Sequence, residues 1–159
     1  MRLEGKVALI SGGARGMGAE EARIFAREGA KVVIGDISED EGRAVEAQIA
    51  EAGSQALFVR LDVTQESDWT NAVDLAVSRF GKLDVLVNNA GISSRAFTDD
   101  TGIDAWDKIM EVNSKGVFLG TRAAIPKMLE AGGGSIVNIS FIMGLVGSAG
   151  GPPAYNASN

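Results

Sequence analysis

Gly12-Gly13-Ala14-Arg15-Gly16-Met17-Gly18 places four glycines directly after a short apolar run, and that arrangement suits the grip of an anion by main-chain amides. Glycine reaches positive φ and lets backbone approach a ligand closely, while the free amides and positive end of a following helix attract a diphosphate. Asp36 lies 18 positions beyond Gly18, where a carboxylate can accept hydrogen bonds from ribose hydroxyls. Met17 inside the loop and Ile37 after the acid border the same place. Together they point to a nicotinamide dinucleotide, and the carboxylate favours NAD over NADP. A 2′-phosphate about 4 Å from it would cost on the order of 4 kcal/mol per charge pair at an effective dielectric of 20. Arg15 works the other way, since a cation in the glycine loop could pair with that phosphate. Two plainer readings stand beside these: any strand-to-helix connection can use glycine, and a solvated Asp at such a position commonly caps the next helix.

The elements that would carry this loop alternate along the chain. Val7 to Ile10 read as a strand buried on both faces, and Met17, Ala22, Phe25 and Ala26 recur at helical spacing until Gly29. Val32 to Ile34 make a second strand, which Asp36 follows. Ser38 and Glu41 fit a capping box opening a second helix that runs to about Gly53. Ala56 to Leu61 read as a third strand, and Trp69, Ala72, Val73, Ala76, Val77 and Phe80 as one apolar helical face. Leu83 to Val87 form a fourth strand, Trp106 to Leu129 one long helix with interior Gly116, Gly120 and Pro126, and Ser135 to Ser140 a fifth strand. The expectation is an α/β, Rossmann-type, doubly wound parallel sheet of five strands in the order 3-2-1-4-5, one dinucleotide-binding domain over 1–159. Its ligand crevice lies at the reversal between strands 1 and 4.

The 159 residues carry a net charge of −6, which argues against a nucleic-acid or anionic-membrane surface. Without cysteine or histidine, the usual ligands of zinc, haem and iron–sulfur clusters are missing and no metal is expected, although carboxylate-bound magnesium stays open. No apolar run approaches the ~20 residues of a membrane span and no signal peptide is apparent, so a cytoplasmic protein is expected.

Four motifs in order resemble the short-chain dehydrogenase/reductase family, in particular the amino-terminal nucleotide-binding part of its bacterial hydroxysteroid and alcohol dehydrogenases. They are the glycine loop, Asp62-Val63 after the third strand, Asn88-Asn89-Ala90-Gly91 after the fourth, and Asn113 in the long helix. The resemblance implies that Asp62 and Val63 contact adenine and that Asn89, Ala90 and Gly91 line the ribose side. With Gly12, Arg15, Gly16, Met17, Gly18, Asp36 and Ile37 they make the expected coenzyme site. Asp62 as a helix cap, and Asn88-Asn89 as a turn satisfying its own backbone, remain rival or additional roles.

In that family a Ser holds the carbonyl oxygen, a Tyr passes the proton, a Lys four residues later favours the ionised Tyr and grips the nicotinamide ribose, and an Asn assists. Here Tyr155 and Asn113 match as catalytic residues, but Phe141 occupies the Ser position and Asn159 the Lys position. Ser140 should point to the opposite face from Phe141, and Ser148 is a weaker substitute. The resemblance therefore implies an NAD-dependent oxidoreductase of secondary alcohols or ketones by lineage, with hydride transfer weak or absent in this chain. An active dehydrogenase relying on Tyr155 and a non-catalytic scaffold are the alternatives. The family continues with another helix and two more strands, so the fifth strand, with Ile136, Val137 and Ile139, is expected to be an unpaired apolar edge that favours homo-oligomers.

Overall fold

A computed structural model describes residues 1–93, 97–146 and 152–159. Strand β1 (Val7–Ser11) is buried along its whole length because both its faces are covered, hence its unbroken apolar sequence. Val7 and Leu9 enter one core with Val33 of β2 (Lys31–Asp36), while Ile10 enters the other with Val32 and Ile34. Alternation across the pleat thus feeds two cores from a single strand. Completed by β3 (Ala56–Arg60), β4 (Val85–Asn88) and β5 (Ser135–Asn138), the sheet is parallel throughout in the order β3-β2-β1-β4-β5, as the sequence implies.

Helices α1 (Gly16–Arg27) and α2 (Glu39–Glu51) close one core with Ala22, Ala26, Val45 and Ile49. The other is closed by α3 (Glu66–Phe80), through Trp69, Ala72, Val73 and Ala76, and by α5 (Gly116–Glu130), through Leu119, Ala124 and Met128. Each fully buried Val, Leu or Ile contributes about 1.5–3 kcal/mol relative to exposure. The described residues contain no helix long and apolar enough to cross a membrane.

Three local expectations are corrected. The Ser38–Glu41 capping box does not form: Ser38 precedes α2 without a side-chain cap bond, its N–H donates to Asp36, and Glu41 lies 3.8 Å from Arg15 instead. Asp36 is the last residue of β2 rather than the residue after it, and it is buried, which removes the solvated-cap reading. The long helix is continuous but not uniform: α4 (Ile103–Met110) runs into α5 through a π-helical turn at Glu111–Lys115, which widens the helix around Asn113. Close packing at its glycines holds. A Cβ on Gly116 would stand 3.0 Å from Val63 Cγ2, and one on Gly120 would stand 2.6 Å from the Trp69 ring.

Strand β5 ends at Asn138, so Ser140 and Phe141 lie beyond it and the alternation rule does not separate them. Among the described residues β5 pairs only with β4, leaving the expected outer edge, and Val137 and Ile139 are exposed on it while Ile136 is partly buried. A short helix, α6 (Pro153–Ser158), packs on α4. Ser148 lies outside the described residues.

At the opposite end of the sheet, Asp84 fastens β1 to the start of β4. Its carboxylate accepts the Val7 N–H at 2.8 Å and the Lys82 ammonium at 3.0 Å, with Lys6 at 3.6 Å. Burial acts to raise this carboxyl, but the Lys82 and Val7 hydrogen bonds and the charges of Lys82 and Lys6 outweigh it and hold it below the ordinary carboxylate range. A depressed folded-state value stabilises the fold above the unfolded carboxylate value of about 3.9, and the contribution is lost as pH falls through the folded one. Asp84→Asn should therefore cost about 1–2 kcal/mol in urea unfolding at neutral pH, with the gap to wild type narrowing in acid. Equal stability of the two proteins at neutral pH would remove Asp84 from this role.

Candidate active site

The carboxyl ends of β1 and β4 converge on one loop pair, and the bonds that hold them are side chain to main chain. The Asn89 side-chain amide donates to the carbonyls of Ser11, at 3.0 Å, and Gly12, at 3.1 Å. In return the Ser11 hydroxyl accepts the N–H groups of Asn89 and Ala90. Asn88 reaches Asn138 of β5 and Thr121 of α5. The Asn pair therefore joins strands rather than satisfying its own turn. Ser11, last residue of β1, was not singled out by the sequence, although a hydroxyl immediately before Gly12 was the available signal.

This close approach explains the glycines. Gly16 sits at φ +52° in open space, so it is the backbone angle that excludes a side chain there. At Gly18 it is room that is lacking: a Cβ would collide with the Gly12 carbonyl and stand 2.6 Å from Asn89 Nδ2. Helix α1 opens at Gly16 with neither a side-chain cap nor an acid in its first turn, whereas α2 carries Glu39, Asp40 and Glu41 there and α3 carries Glu66 and Asp68. Its positive end is left for an external anion.

Asp36 closes the loop from the β2 side. Its two carboxylate oxygens accept the N–H groups of Ala14 and Ser38, both at 3.0 Å, so the acid is fixed before any ligand arrives. Across the cleft, Asp62 accepts both the N–H and the hydroxyl of Thr64. Burial acts to raise the Asp62 carboxyl, yet these bonds and the charges of Lys108 and Arg60 hold it below the usual range. Asp62 does not cap α3, whose N-cap residue is Gln65.

All twelve residues expected to hold coenzyme, Gly12, Arg15, Gly16, Met17, Gly18, Asp36, Ile37, Asp62, Val63, Asn89, Ala90 and Gly91, line one cleft of about 420 Å³. Leu61, Ile92, Lys108 and Val112 line it as well and were missed. Lys108 and Val112, four apart on a helix, could have been found by their spacing; Leu61 offered no signal. A larger cleft, of about 630 Å³, lies at the other ends of the strands beside Gly29, Lys31 and Gly53. There the carboxyl ends of α1 and α2 present carbonyls rather than free amides, with Arg23, Arg27 and Lys31 also in the lining.

The residues expected to be catalytic adjoin the cleft through Asn113. Its side chain accepts the Ile92 N–H at 2.9 Å, donates to the Ile92 carbonyl at 3.0 Å, and donates to Ser158 of α6 at 3.0 Å. Tyr155, half-buried on α6, faces Phe141 with ring centroids 6.2 Å apart. Asn159 accepts the Phe141 N–H at 3.1 Å and donates to the Tyr155 carbonyl, so its amide is engaged with backbone. The Ser140 hydroxyl turns onto the Phe141 carbonyl at 3.4 Å. Among the described residues no group of three or more His, Cys, Asp and Glu stands together as a metal site.

The short chain dehydrogenase family model matches residues 6–159. The chain is 57% identical over 147 residues to a 3-alpha-(or 20-beta)-hydroxysteroid dehydrogenase of Mycobacterium bovis, an alignment covering 92% of this chain and 55% of the relative. It is 48% identical to a cyclopentanol dehydrogenase of Comamonas testosteroni over 157 residues, covering 99% of this chain and 62% of the relative. A crystal structure of a short-chain type dehydrogenase/reductase from Mycobacterium marinum superposes with a TM-score of 0.91 at 33% identity, covering 98% of this chain and 64% of that one. The chain thus spans less than two thirds of the length of these relatives. With the parallel five-stranded sheet, the glycine loop and the Asn-Asn-Ala-Gly turn all within the matched residues, the chain belongs to the short-chain dehydrogenase family.

Proposed function

We propose that this chain is the NAD(H)-binding domain of a short-chain dehydrogenase, by lineage an oxidoreductase of secondary alcohols or ketones, with hydride transfer weak or absent in the chain as it stands. The observation that carries the coenzyme assignment is the convergence of the glycine loop, Asp36, Asp62-Val63 and Asn89-Ala90-Gly91 on one cleft whose floor is an uncapped helix start. Gly12 to Gly18 and the α1 amides would hold the diphosphate, Asp36 the adenosine ribose, Asp62 and Val63 the adenine, and Asn89 to Gly91 the nicotinamide side. The cleft fits such a group, since its turn has no room for a Cβ at Gly18 and its anchoring acid is already fixed by two amides. When bound, the nicotinamide supplies the hydride acceptor or donor.

We favour NAD over NADP because Asp36, if it holds the adenosine ribose, would repel a 2′-phosphate, and Arg15, the counter-charge in the loop, lies 3.8 Å from Glu41. The secondary-alcohol assignment rests on relatives whose names specify hydroxysteroid and cyclopentanol dehydrogenases. Tyr155 would pass the proton and Asn113 would support it. Phe141 puts a ring, rather than a hydroxyl, beside Tyr155, and Asn159 brings a neutral amide in place of a cation. Groups that act as one unit do not lose activity additively, so either change alone is expected to be severe.

Those relatives' names favour an active dehydrogenase using Tyr155 as the second reading. The exposed β5 edge favours self-association, and a non-catalytic scaffold is the limit of that view. A cytoplasmic setting rests on the sequence reading alone.

Calorimetric titration should give a micromolar dissociation constant for NADH and a weaker one for NADPH. Asp36→Ala should weaken NADH about tenfold or more and shrink the preference over NADPH; absence of saturable heat with either coenzyme overturns the assignment. In a chain extended by the carboxyl-terminal part of a relative, Phe141→Ser with Asn159→Lys should raise ketone-dependent NADH oxidation by at least about a hundredfold over the parent. Unchanged inactivity with coenzyme bound would show the diagnosis of the corner to be mistaken. Sedimentation of the chain at high concentration should give dimers or larger species, and a single monomeric boundary counts against the edge as an assembly surface.

A further inference from the structure

The loop after β3 is held from one side by two consecutive residues of α3. The Asp68 carboxylate accepts the Asp62 N–H at 3.0 Å, and the Trp69 indole N–H donates to the Val63 carbonyl at 3.0 Å. One amide and one carbonyl, in neighbouring residues, are thus clamped by adjacent side chains. Trp69 is 1% exposed and Val63 7%, so this indole bond is made away from water, where an orphaned carbonyl is costly. The far side is closed by α5: a Cβ on Gly116 would stand 3.0 Å from Val63 Cγ2, and one on Gly120 would stand 2.7 Å from Trp69 Cζ2. Gly120 and Gly116 let α5 press the indole and the valine together. Val63 and Asp62 both face the cleft that Lys108 and Val112 line opposite.

We infer that Trp69 is a positioning residue for coenzyme specificity, its indole N–H fixing the Asp62–Val63 wall at the spacing needed to read the adenine base. The assignment rests on the proposed dinucleotide site. Burial of the indole ring alone would stabilise the fold without regard to which base is bound. The hydrogen bond to the Val63 carbonyl adds a base-dependent effect, because it sets the peptide that forms the wall. Asp68, bonded to the preceding residue, fixes the other end of the same short segment.

The test compares NADH with reduced nicotinamide hypoxanthine dinucleotide, in which a carbonyl replaces the adenine amino group. Two variants are titrated: Trp69→Phe, and the chain carrying the benzothienyl isostere of tryptophan at position 69, which keeps the ring shape and replaces N–H by sulfur. Each variant should weaken NADH about tenfold and the hypoxanthine coenzyme by less, so that the preference for NADH falls at least about threefold. In the wild-type chain the Trp69 indole N–H resonance, told apart from that of Trp106 by Trp106→Phe, should move on addition of NADH and less on addition of reduced nicotinamide mononucleotide. Equal losses for both coenzymes, or an indole resonance indifferent to NADH, overturn the role of Trp69 while leaving the coenzyme site standing. Absence of NADH binding to the wild-type chain overturns both.

Discussion

The paired bonds from the Asn89 amide to the carbonyls of Ser11 and Gly12 govern the rest of the site. They require β1 and β4 to end at the same level, and they bring the β4 turn so near the glycine loop that Gly18 has no space for a Cβ. Ser11 reciprocates by accepting two N–H groups from that turn, so four main-chain groups are satisfied across the strands without water. Once these ends are locked, the start of α1 has only one direction in which to point. The order β3-β2-β1-β4-β5 matters for the same reason: it makes β1 and β4 neighbours, so that their ends can be laced directly.

Electrostatics follows from that lacing. The positive end of α1 has no internal acid, while the acids that border the cleft, Asp36 and Asp62, are both tied to backbone N–H groups. A carboxylate so bonded is held in place, giving a cleft with a helix start as its floor and two fixed carboxylates in its walls. That division suits a ligand whose diphosphate and sugar hydroxyls are separated along its length. The opposite cleft, beside Gly29 and Gly53, meets the carbonyl ends of α1 and α2 and has no helix start in its lining.

Sequence disclosed what is local or periodic. The strand order, the glycine loop and the residues nominated for coenzyme binding could be read because each depends on neighbours in the chain or on a motif with fixed spacing. What escaped depends on pairs far apart. Ser11 serves residues 78 and 79 positions away, and the π-turn at Glu111–Lys115 lies in a segment whose hydrophobic period alone suggests one continuous helix. The capping box was misjudged for a related reason: Asp36, committed by its burial, took the Ser38 N–H, and Glu41 turned to Arg15. Asp36 itself was placed by sequence distance, but its burial and its two amide partners required the sheet.

The cleft proposed for coenzyme and the corner proposed for catalysis are built by different parts of the chain, and this separates their fates. The cleft depends on β1, β2 and β4, which lie within buried, doubly covered structure, and on the more open start of α1. The corner depends on the stretch beyond β5 and on α6, where Phe141 is exposed and Asn159 binds only backbone. Asn113 is the hinge between them, bonded to Ile92 at the cleft and to Ser158 at the corner. Because that link runs through main chain and a hydroxyl rather than through Tyr155, residues 141 and 159 can change without disturbing the Ser11–Asn89 lacing. The proposed weakening of hydride transfer at Phe141 and Asn159 is therefore compatible with an intact structure at the cleft.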